Sequence, residues 1–314
     1  MHIYIHQKVI IITNIIIVGN FEKAEKLWSK LLRRLRKKLE DSNPSILNAM
    51  GNLAATYKNQ GKYREAEVQY RQCLDKIKVV LGENHPSTLA TMNNLATTYS
   101  DQGKYRDAEV LYKQCLDKTK EALGENHPDT LSTMNNLAEV YNRQGKHREA
   151  EVIFKHCLDK QKAVFGNNHP DTFISMNNLA ATYDHQGKHR DAEVLFKQCL
   201  DTQKEVLEES HPETLRTLSS LASSSGRQGK YRDAEVLLKQ CLDKQKVVHG
   251  ESHPATLGTM NNLAITYSSQ GKYRDAVVLL KQCLDKRKLI LGENHPHTVQ
   301  TMNNLALATS KIQA

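Results

Sequence analysis

The stretch from Pro86 to His127 decides the fold, and it reads PSTLATMNNLATTYSDQGKYRDAEVLYKQCLDKTKEALGENH. Its first half places Leu89, Met92 and Leu95 three residues apart, so that they share one face of a helix. A Gln-Gly-Lys turn follows, and a second apolar stripe at helical spacing runs on to the next glycine. No part of the stretch alternates with a period of two, as a half-buried strand would. The stretch therefore predicts two helices joined by a tight turn.

The same pattern recurs along the whole chain of 314 residues. Prolines, cysteines and turn glycines each return at a step of 42 residues: Pro44, Pro86, Pro128, Pro170, Pro212, Pro254 and Pro296; Cys73, Cys115, Cys157, Cys199, Cys241 and Cys283; Gly19, Gly61, Gly103, Gly145, Gly187, Gly229 and Gly271. A fixed period of this size is the signature of a solenoid, in which neighbouring helix pairs stack because one pair cannot bury its apolar face alone.

The repeat divides the chain into units. We expect six full units over residues 44–295, a half unit at 19–43 and another at 296–314, which together form an all-α, right-handed superhelical solenoid of antiparallel helix pairs. Residues 1–18 are apolar and rich in isoleucine. They are either a degenerate first helix or the edge of a gene model. A long stack of helix pairs leaves an extended concave groove, which suits an extended peptide or a partner helix and is not the shape of a reaction chamber.

Composition excludes several classes of protein. With 39% hydrophobic and 25% charged residues, the chain is too apolar to be disordered. The net charge of +9 comes largely from the first 43 residues, which hold nine Lys/Arg and four Asp/Glu, so the repeats offer no strongly basic surface for nucleic acid. The longest apolar run, Val9–Val18, is about half of a membrane span. We expect neither nucleic-acid binding nor a membrane-spanning segment.

The repeat resembles two known patterns. Met92-x2-Leu95-Ala96-x2-Tyr99 followed by Ala108-x3-Tyr112 is similar to the tetratricopeptide repeat, with eight more residues at the end of the second helix. The strings NNLAxxYxxQGKYRDAEVL and LGENHP resemble the repeats of kinesin light chains. This resemblance implies a non-catalytic cytoplasmic adaptor, associated with microtubule motors, that binds acidic, tryptophan-containing cargo peptides. It also implies kinesin heavy chain as a partner, through a coiled coil that residues 1–43 do not contain. The alternative is a recognition array of a larger nephrocystin-like or NTPase-linked signalling protein.

Paired asparagines are the main candidate for ligand binding. An amide side chain offers two donors and an acceptor, which suits the main chain of an extended peptide. By resemblance to kinesin light chains, we expect the first asparagine of each pair to contact cargo peptides: Asn93, Asn135, Asn177, Asn261 and Asn303. The alternative is that these asparagines brace adjacent first helices.

Other first-helix positions vary between units, as a specificity surface would. One position reads Lys58, Ser100, Asn142, Asp184, Gly226 and Ser268; the next reads Asn59, Asp101, Arg143, His185, Arg227 and Ser269; an early one reads Asn48, Ala90, Ser132, Ile174, Arg216 and Gly258. We expect Arg143, Arg216, Arg227 and Lys58 to line the groove, the arginines as partners for acidic residues of a ligand.

Cysteine and histidine are residue types that bind metals or act in catalysis, but the spacing of the recurring cysteines and histidines does not match a metal site or a catalytic motif. One cysteine per unit, with no CxxC, predicts buried free thiols and a reducing compartment. The histidines before the prolines are expected at helix entry turns. No Walker, Rossmann, HExxH or GxSxG motif occurs. We expect no catalytic residue, metal or cofactor.

The fifth unit departs most from the pattern. Ser219 and Ser220 replace the asparagine pair, Ser225 replaces the core tyrosine, and Glu208 replaces the glycine before the unit. Losing a buried aromatic side chain costs a few kcal/mol in other proteins. We expect this unit to be the least stable part of the stack.

Overall fold

The computed structural model describes residues 2–17 and 20–313, with side chains from residue 8 to 16 and from 20 to 313. Fifteen α-helices make up this described part of the chain, which contains no strand: α1 His2–Ile17, α2 Phe21–Arg36, α3 Pro44–Asn59, α4 Tyr63–Leu81, α5 Pro86–Asp101, α6 Tyr105–Leu123, α7 Pro128–Arg143, α8 His147–Phe165, α9 Pro170–His185, α10 His189–Leu207, α11 Pro212–Arg227, α12 Tyr231–Val248, α13 Pro254–Ser269, α14 Tyr273–Leu291 and α15 Pro296–Gln313. The predicted all-α class is confirmed.

From α3 onward, a shorter first helix alternates with a longer second helix. The first helices α3 to α13 have 16 residues, and the second helices α4 to α14 have 18 or 19. We number the helix pairs in chain order, so that α3–α4 is the first pair, α5–α6 the second, α11–α12 the fifth and α13–α14 the sixth.

The entry turns of the first helices from α5 to α13 depend on a histidine-proline step, and Asn43 takes the place of the histidine before α3. Pro86 occupies the first turn of α5, where its missing N–H costs no helical hydrogen bond. His85 precedes it in extended conformation, and its Nδ1 accepts a hydrogen bond from the Ser87 N–H at 3.1 Å. His127, His169, His211 and His253 act in the same way. The prediction that these histidines cap helices is confirmed.

Glycines close both helices of a pair in the left-handed backbone region. Gly103 ends the first helix of the second pair with φ +77°, and Gly124 ends the second helix with φ +91°. Glu208 holds the position equivalent to Gly124 with φ 74° and ψ 157°, and it is the one non-glycine residue with positive φ in the described chain. The predicted turn glycine Gly19 lies outside the described residues.

The helices form two compact units, one ending at Lys146 and the other beginning at His147. In the first unit, α1, α2 and α3 share a core that contains Ile12, Trp28, Leu31 and Met50. Small residues such as Ala96 and Ala108 are fully buried, which indicates close helix packing. The assignment of 19–43 and 296–314 as half units stays a prediction.

The second unit contains α8 to α15 and buries the same positions. Phe196, Leu200 and Leu215 belong to one core cluster, and Leu238, Leu257 and Met260 belong to the next. The buried face of each second helix thus contacts the first helix that follows it along the chain.

Candidate functional site

The first asparagine of a pair bridges neighbouring first helices. In the first unit, the Asn93 amide donates to the Thr133 hydroxyl at 2.9 Å. The Asn93 Oδ1 accepts from the amide of Asn136 at 2.9 Å, so both ends of this side chain are held by α7. The second asparagine of one first helix, here Asn136 on α7, therefore supports the first asparagine of the preceding first helix, here Asn93 on α5.

The second unit repeats this arrangement with one interruption. Asn261 accepts from Asn304 at 3.1 Å, as Asn93 does from Asn136. The Asn177 amide donates to the Thr217 hydroxyl at 2.7 Å, but its Oδ1 is buried without a partner. The position that would supply the donor is Ser220, whose side chain carries no amide. The structure thus links a sequence departure in the fifth pair to an unsatisfied acceptor in the fourth.

Burial places most of the predicted groove asparagines inside the packing. Asn135, Asn177 and Asn261 are 7%, 4% and 3% exposed. Asn93 is half-buried, and Asn303 is exposed on the last helix. The contacts of Asn93, Asn177 and Asn261 match the bracing role, whereas peptide contact by any of the five stays a prediction.

The predicted basic residues lie on first helices, and the arginines have partners within the chain. Arg143 forms ion pairs with Glu139 and Asp101 at 3.2 and 3.4 Å. Arg216 contacts Glu213 at 2.6 Å. Lys58 is half-buried in the last turn of α3.

The most deeply embedded of these ion pairs joins three helices. Arg227 on α11 contacts Asp184 on α9 at 2.5 Å. The Asp184 side chain is fully buried and also accepts a contact from His189 on α10 at 2.6 Å. This pair fixes the Arg227 guanidinium at the surface of the second unit, where 45% of its side chain is exposed.

One of the variable positions is less accessible than the sequence indicates. The prediction that it faces a groove is wrong for Ser100, Asn142 and Asp184, which are 5%, 9% and 3% exposed. In α5, α7 and α9 this position follows the Tyr and points toward the neighbouring helices, whereas the equivalent Lys58, Gly226 and Ser268 are half-buried. The next position is accessible instead, because Arg143, His185, Arg227 and Ser269 are exposed.

An accessible face remains on each first helix. Ala90, Asn94, Thr97 and Asp101 are spaced by four, three and four residues, which places them on one side of α5. Ala90 and Asn94 are exposed, and Thr97 and Asp101 are half-buried. The second asparagine of each pair lies on this face: Asn94, Asn136, Asn178 and Asn262.

Family models settle what class of repeat this is. Models described as tetratricopeptide repeat match residues 111–163, 129–205 and 213–289, and a second such model matches 46–87 and 88–129. The chain belongs to the tetratricopeptide repeat family. Stacked helix pairs of such repeats present extended surfaces for binding other proteins. The family is in general a non-catalytic scaffold, and protein binding is the role it gives this chain.

Solved structures agree on the tetratricopeptide fold. A putative kinesin light chain from Podosopora anserina with nearly identical TPR-like repeats is 28% identical, over 67% of this chain and 98% of that chain, with a TM-score of 0.54. BtubC (BKLC) from P. vanneervenii is 19% identical over 74% and 94% of the two chains, with a TM-score of 0.59. NprR, solved with its cognate peptide NprX, is 15% identical over 99% and 88%, with a TM-score of 0.64. No curated protein matches the chain.

The cysteines of this tetratricopeptide protein are structural. All six are buried free thiols, as predicted. The thiols of Cys73, Cys115 and Cys241 each donate to a backbone carbonyl of the preceding first helix, at 3.3 to 3.4 Å. Burial raises the pKa of these three thiols to about 11, so they remain protonated and weakly nucleophilic at neutral pH.

Other chemistry is sparse in the parts of the chain that the structure describes. Among the side chains that the structure describes, at residues 8–16 and 20–313, no group of three or more His, Cys, Asp or Glu is arranged to hold a metal ion. Within residues 2–17 and 20–313, no helix combines the length and apolar character needed to cross a membrane.

Proposed function

We propose that this protein is a peptide-binding adaptor of the kinesin light chain type. Its first helices bind extended cargo peptides, and the complex is carried by a microtubule motor. The six buried free thiols suit a reducing compartment, so we place the adaptor in the cytoplasm, in association with the cytoskeleton.

The accessible face of the first helices carries this proposal. Its second asparagine is constant in four pairs, at Asn94, Asn136, Asn178 and Asn262, while the positions beside it vary. A constant amide suits the peptide main chain, which every ligand shares. Variable neighbours suit side chains, which differ from one ligand to the next. The surface thus combines a general contact with a selective one.

We assign the main-chain contacts to the second asparagine of each pair rather than the first. Asn94 is exposed. The position 43 residues earlier, where Asn136 finds Asn93, is Gly51 for Asn94, so Asn94 has no asparagine on the preceding first helix to support. Asn93, Asn135, Asn177, Asn261 and Asn303 then act by holding the first helices in register. Lys58 adds positive charge for acidic ligands. Arg143, Arg216 and Arg227 are each paired with a carboxylate and offer their remaining guanidinium donors, with Arg227 the most firmly positioned.

Similarity to other proteins supports the two halves of the proposal separately. The putative kinesin light chain from Podosopora anserina supports the motor adaptor, at 28% identity over two thirds of this chain. NprR, crystallised with its cognate peptide, supports peptide binding by this fold.

A peptide array tests the first half. The full chain is incubated with 15-residue peptides in four series: acidic with tryptophan, acidic with tyrosine, the same peptides with the aromatic residue replaced by alanine, and neutral scrambled controls. We expect micromolar binding to members of the acidic aromatic series. If every series binds with the same affinity, or if no series binds more tightly than the scrambled controls, the result contradicts peptide recognition.

Two neighbouring substitutions separate binding from bracing. Asn94→Ala removes an exposed amide and should weaken peptide binding by about fivefold to 150-fold, since leaving a hydrogen-bond partner unsatisfied costs about 1–3 kcal/mol. The unfolding free energy should change little. Asn93→Ala removes the contacts to Thr133 and Asn136, and it should lower unfolding free energy by about 1–3 kcal/mol. The opposite pattern would return the ligand role to Asn93.

Motor attachment is tested independently. Kinesin heavy chain is co-purified with the full chain, with and without a saturating array peptide. Retention of heavy chain supports the motor adaptor. Peptide binding without heavy-chain retention favours the recognition array of a nephrocystin-like or NTPase-linked protein.

A further inference from the structure

The fifth helix pair contains a cavity on the accessible face of its first helix. Its volume is about 380 Å³, and it opens to solvent. Residues from α11, α12 and α13 line it: Ser223, Gly226, Arg227, Tyr231, Leu238, Asn262, Ile265, Thr266 and Ser269. All of them belong to the second compact unit.

The cavity lies where the first four helix pairs place an aromatic ring. Leu238 is 1% exposed and forms the floor of the cavity. The equivalent residue is Tyr112 in the second pair and Phe196 in the fourth, both almost fully buried. A leucine ends where a tyrosine ring would continue, so the fifth pair leaves the space of a ring unfilled.

A hydroxyl group in the cavity has the hydrogen-bonding state that a phenol needs. In the second pair, Thr97 donates its hydrogen to the Asn93 carbonyl at 3.0 Å, so it accepts from the Tyr112 hydroxyl at 2.6 Å. In the fifth pair, Ser223 donates to the Ser219 carbonyl at 2.9 Å. The Ser223 oxygen can therefore still accept a hydrogen bond from a phenol hydroxyl. Leu238, which stands in the place of Tyr112, has no hydroxyl to donate it.

Two further differences from the repeat pattern, at Gly226 and Ser219, widen the cavity and leave an amide group available in it. Gly226 replaces the Ser100 of the second pair, and a Cβ added to it would meet only Ala234, at 3.9 Å. Asn262 projects into the cavity without a side-chain partner, because Ser219 stands where an asparagine would accept from it. The amide of Asn262 is thus available for a peptide main chain.

The rim of the cavity carries little net charge. Arg227 is its one charged lining residue, and the buried Asp184 neutralises it at 2.5 Å. Leu238 and Ile265 provide apolar surface, and the serines provide hydroxyls. This combination favours a neutral ring with a polar edge over a charged side chain.

We propose that this cavity binds the side chain of a tyrosine from an extended peptide. The ring lies on Leu238 and Ile265, its hydroxyl donates to Ser223, and the peptide main chain contacts Asn262. The proposal rests on the peptide-binding function proposed above and names the side chain that this part of the surface selects.

The test uses p-cresol, the side-chain analogue of tyrosine, with toluene and 3-methylindole as analogues of phenylalanine and tryptophan. Each is titrated into the full chain carrying ¹³C-labelled leucine and isoleucine methyl groups. We expect p-cresol to shift the methyl resonances of Leu238 and Ile265, with a Kd on the order of millimolar for so small a ligand. Toluene and 3-methylindole should bind at least threefold more weakly.

Three variants locate the binding. Leu238→Tyr fills the cavity with the ring found in the second pair and should abolish the p-cresol shifts at Ile265. Leu280→Tyr makes the same change in the sixth pair and should leave those shifts intact. Ser223→Ala should remove the preference for p-cresol over toluene. Absence of shifts in the unchanged chain, undiminished binding by Leu238→Tyr, or a preference for 3-methylindole would each overturn the proposal.

The peptide array separates failure of this proposal from failure of the proposed function. A tyrosine-containing peptide that binds should lose at least tenfold in affinity when its tyrosine becomes alanine, and Leu238→Tyr should remove that difference. Peptides that bind without either effect leave the function standing and overturn the tyrosine site. If no peptide binds, both proposals fail, whatever p-cresol does.

Discussion

The fifth and sixth helix pairs follow the same pattern within one compact unit, yet they are held together differently. In the sixth pair, Gln270 donates to the Tyr231 carbonyl at 2.9 Å and so ties α13 to α12. In the fifth pair, Gln228 contacts only Ser224 of its own helix, at 3.5 Å. Gln270 therefore links α13 of the sixth pair to α12 of the fifth, whereas Gln228 makes no such link between α11 and α10.

The core tyrosine marks a second difference. Tyr267 of the sixth pair lies between two lysine ammonium groups, Lys239 and Lys272, at 5.7 and 5.5 Å from its ring centre. Ser225 takes its place in the fifth pair and donates to the Leu221 carbonyl of its own helix. Cation–π contacts contribute about 0.5–1 kcal/mol each at exposed sites. The fifth pair therefore lacks both the packing of a tyrosine ring and the stabilisation from two such contacts.

These differences teach that a repeat protein distributes the effect of one substitution over several helices. Ser220 leaves Asn177 of the fourth pair unsatisfied, and Ser219 leaves Asn262 of the sixth pair unpaired. Because each pair contacts only its neighbours, one poor pair weakens two interfaces. Leu238 and Gly226 of the same pair line the cavity, so the pair that we expect to be the weakest is also the one equipped to bind a side chain.

The largest expected effect is in local opening. Amide hydrogen exchange across residues 212–230 should be at least tenfold faster than across the matching stretch 254–272, because Ser225 and Gln228 lack the contacts that Tyr267 and Gln270 make in the sixth pair. Exchange measured by mass spectrometry on the full chain resolves the two stretches.

Repair of the fifth pair serves as the control. Ser220→Asn supplies a donor for the Asn177 Oδ1, and Ser225→Tyr restores a ring beside Lys197 and Lys230. The double variant should raise unfolding free energy by about 2–4 kcal/mol, from one satisfied buried acceptor and one restored aromatic side chain. Equal exchange in the two stretches before any change would end the idea that the fifth pair is the weakest.

A smaller effect is expected at the turn before the fifth pair. Glu208 holds a backbone conformation that favours glycine, at a cost of about 1–3 kcal/mol. Glu208→Gly should raise the unfolding free energy by about 1 kcal/mol, since glycine also gains freedom in the unfolded chain. Chemical denaturation measures the change.

The matched control lies at Gly250, the equivalent turn before the sixth pair. A Cβ there would meet nothing within 4 Å, so Gly250→Ala tests backbone strain alone. It should lower the unfolding free energy by about 1 kcal/mol. If Glu208→Gly destabilises the chain, the strain assigned to this turn is refuted.

The smallest effect concerns acid. Hydrogen bonds from Lys197 and Lys230 lower the pKa of Glu193 to about 2, and those from Lys239 and Lys272 do the same for Glu235. Both folded pKa values lie below the unfolded value, so these contacts stabilise the fold above about pH 4.5 and are lost as the pH falls toward 2. Urea denaturation between pH 6 and 2.5 should show this loss.

The comparison predicts which glutamate matters more. Gln270 also donates to Glu235, whereas Gln228 does not reach Glu193. Glu235→Gln should therefore cost more unfolding free energy at pH 6 than Glu193→Gln, with both changes at or below about 1 kcal/mol. The reverse order would mean that the sixth pair does not profit from its additional amide contact.

Sequence reasoning succeeds here wherever one residue determines its own surroundings. Pro86 and His85 specify a helix start through their own backbone chemistry, and Gly103 specifies a turn by its positive φ. The burial of Cys115 follows from its place on an apolar stripe. Such features depend on neighbours within a few residues, which a single sequence displays directly.

It is less successful where a contact depends on a residue about 40 positions away. The distinction between Asn93 and Asn94 requires knowing that α7 lies against α5 and covers one of them. The buried Asp184 is paired with Arg227, 43 residues later, and neither residue type indicates the other. The cavity over Leu238 depends on three helices, and the leucine at position 238 does not indicate it, because Leu280 occupies the same position in the sixth pair.

The constant spacing of the contacts has a consequence for inheritance. Gln102 reaches Tyr63 over 39 residues, Lys104 reaches Glu67 over 37, and Asn136 reaches Asn93 over 43, and the same offsets recur from pair to pair. Loss or duplication of one 42-residue segment, 126 nucleotides of coding sequence, therefore joins residues of the same types at the same offsets. Unequal recombination within such a gene changes the length of the binding surface while keeping nearly every contact. Removing the fifth pair by this route would pair Asn262 with Asn177 and erase the cavity in one step.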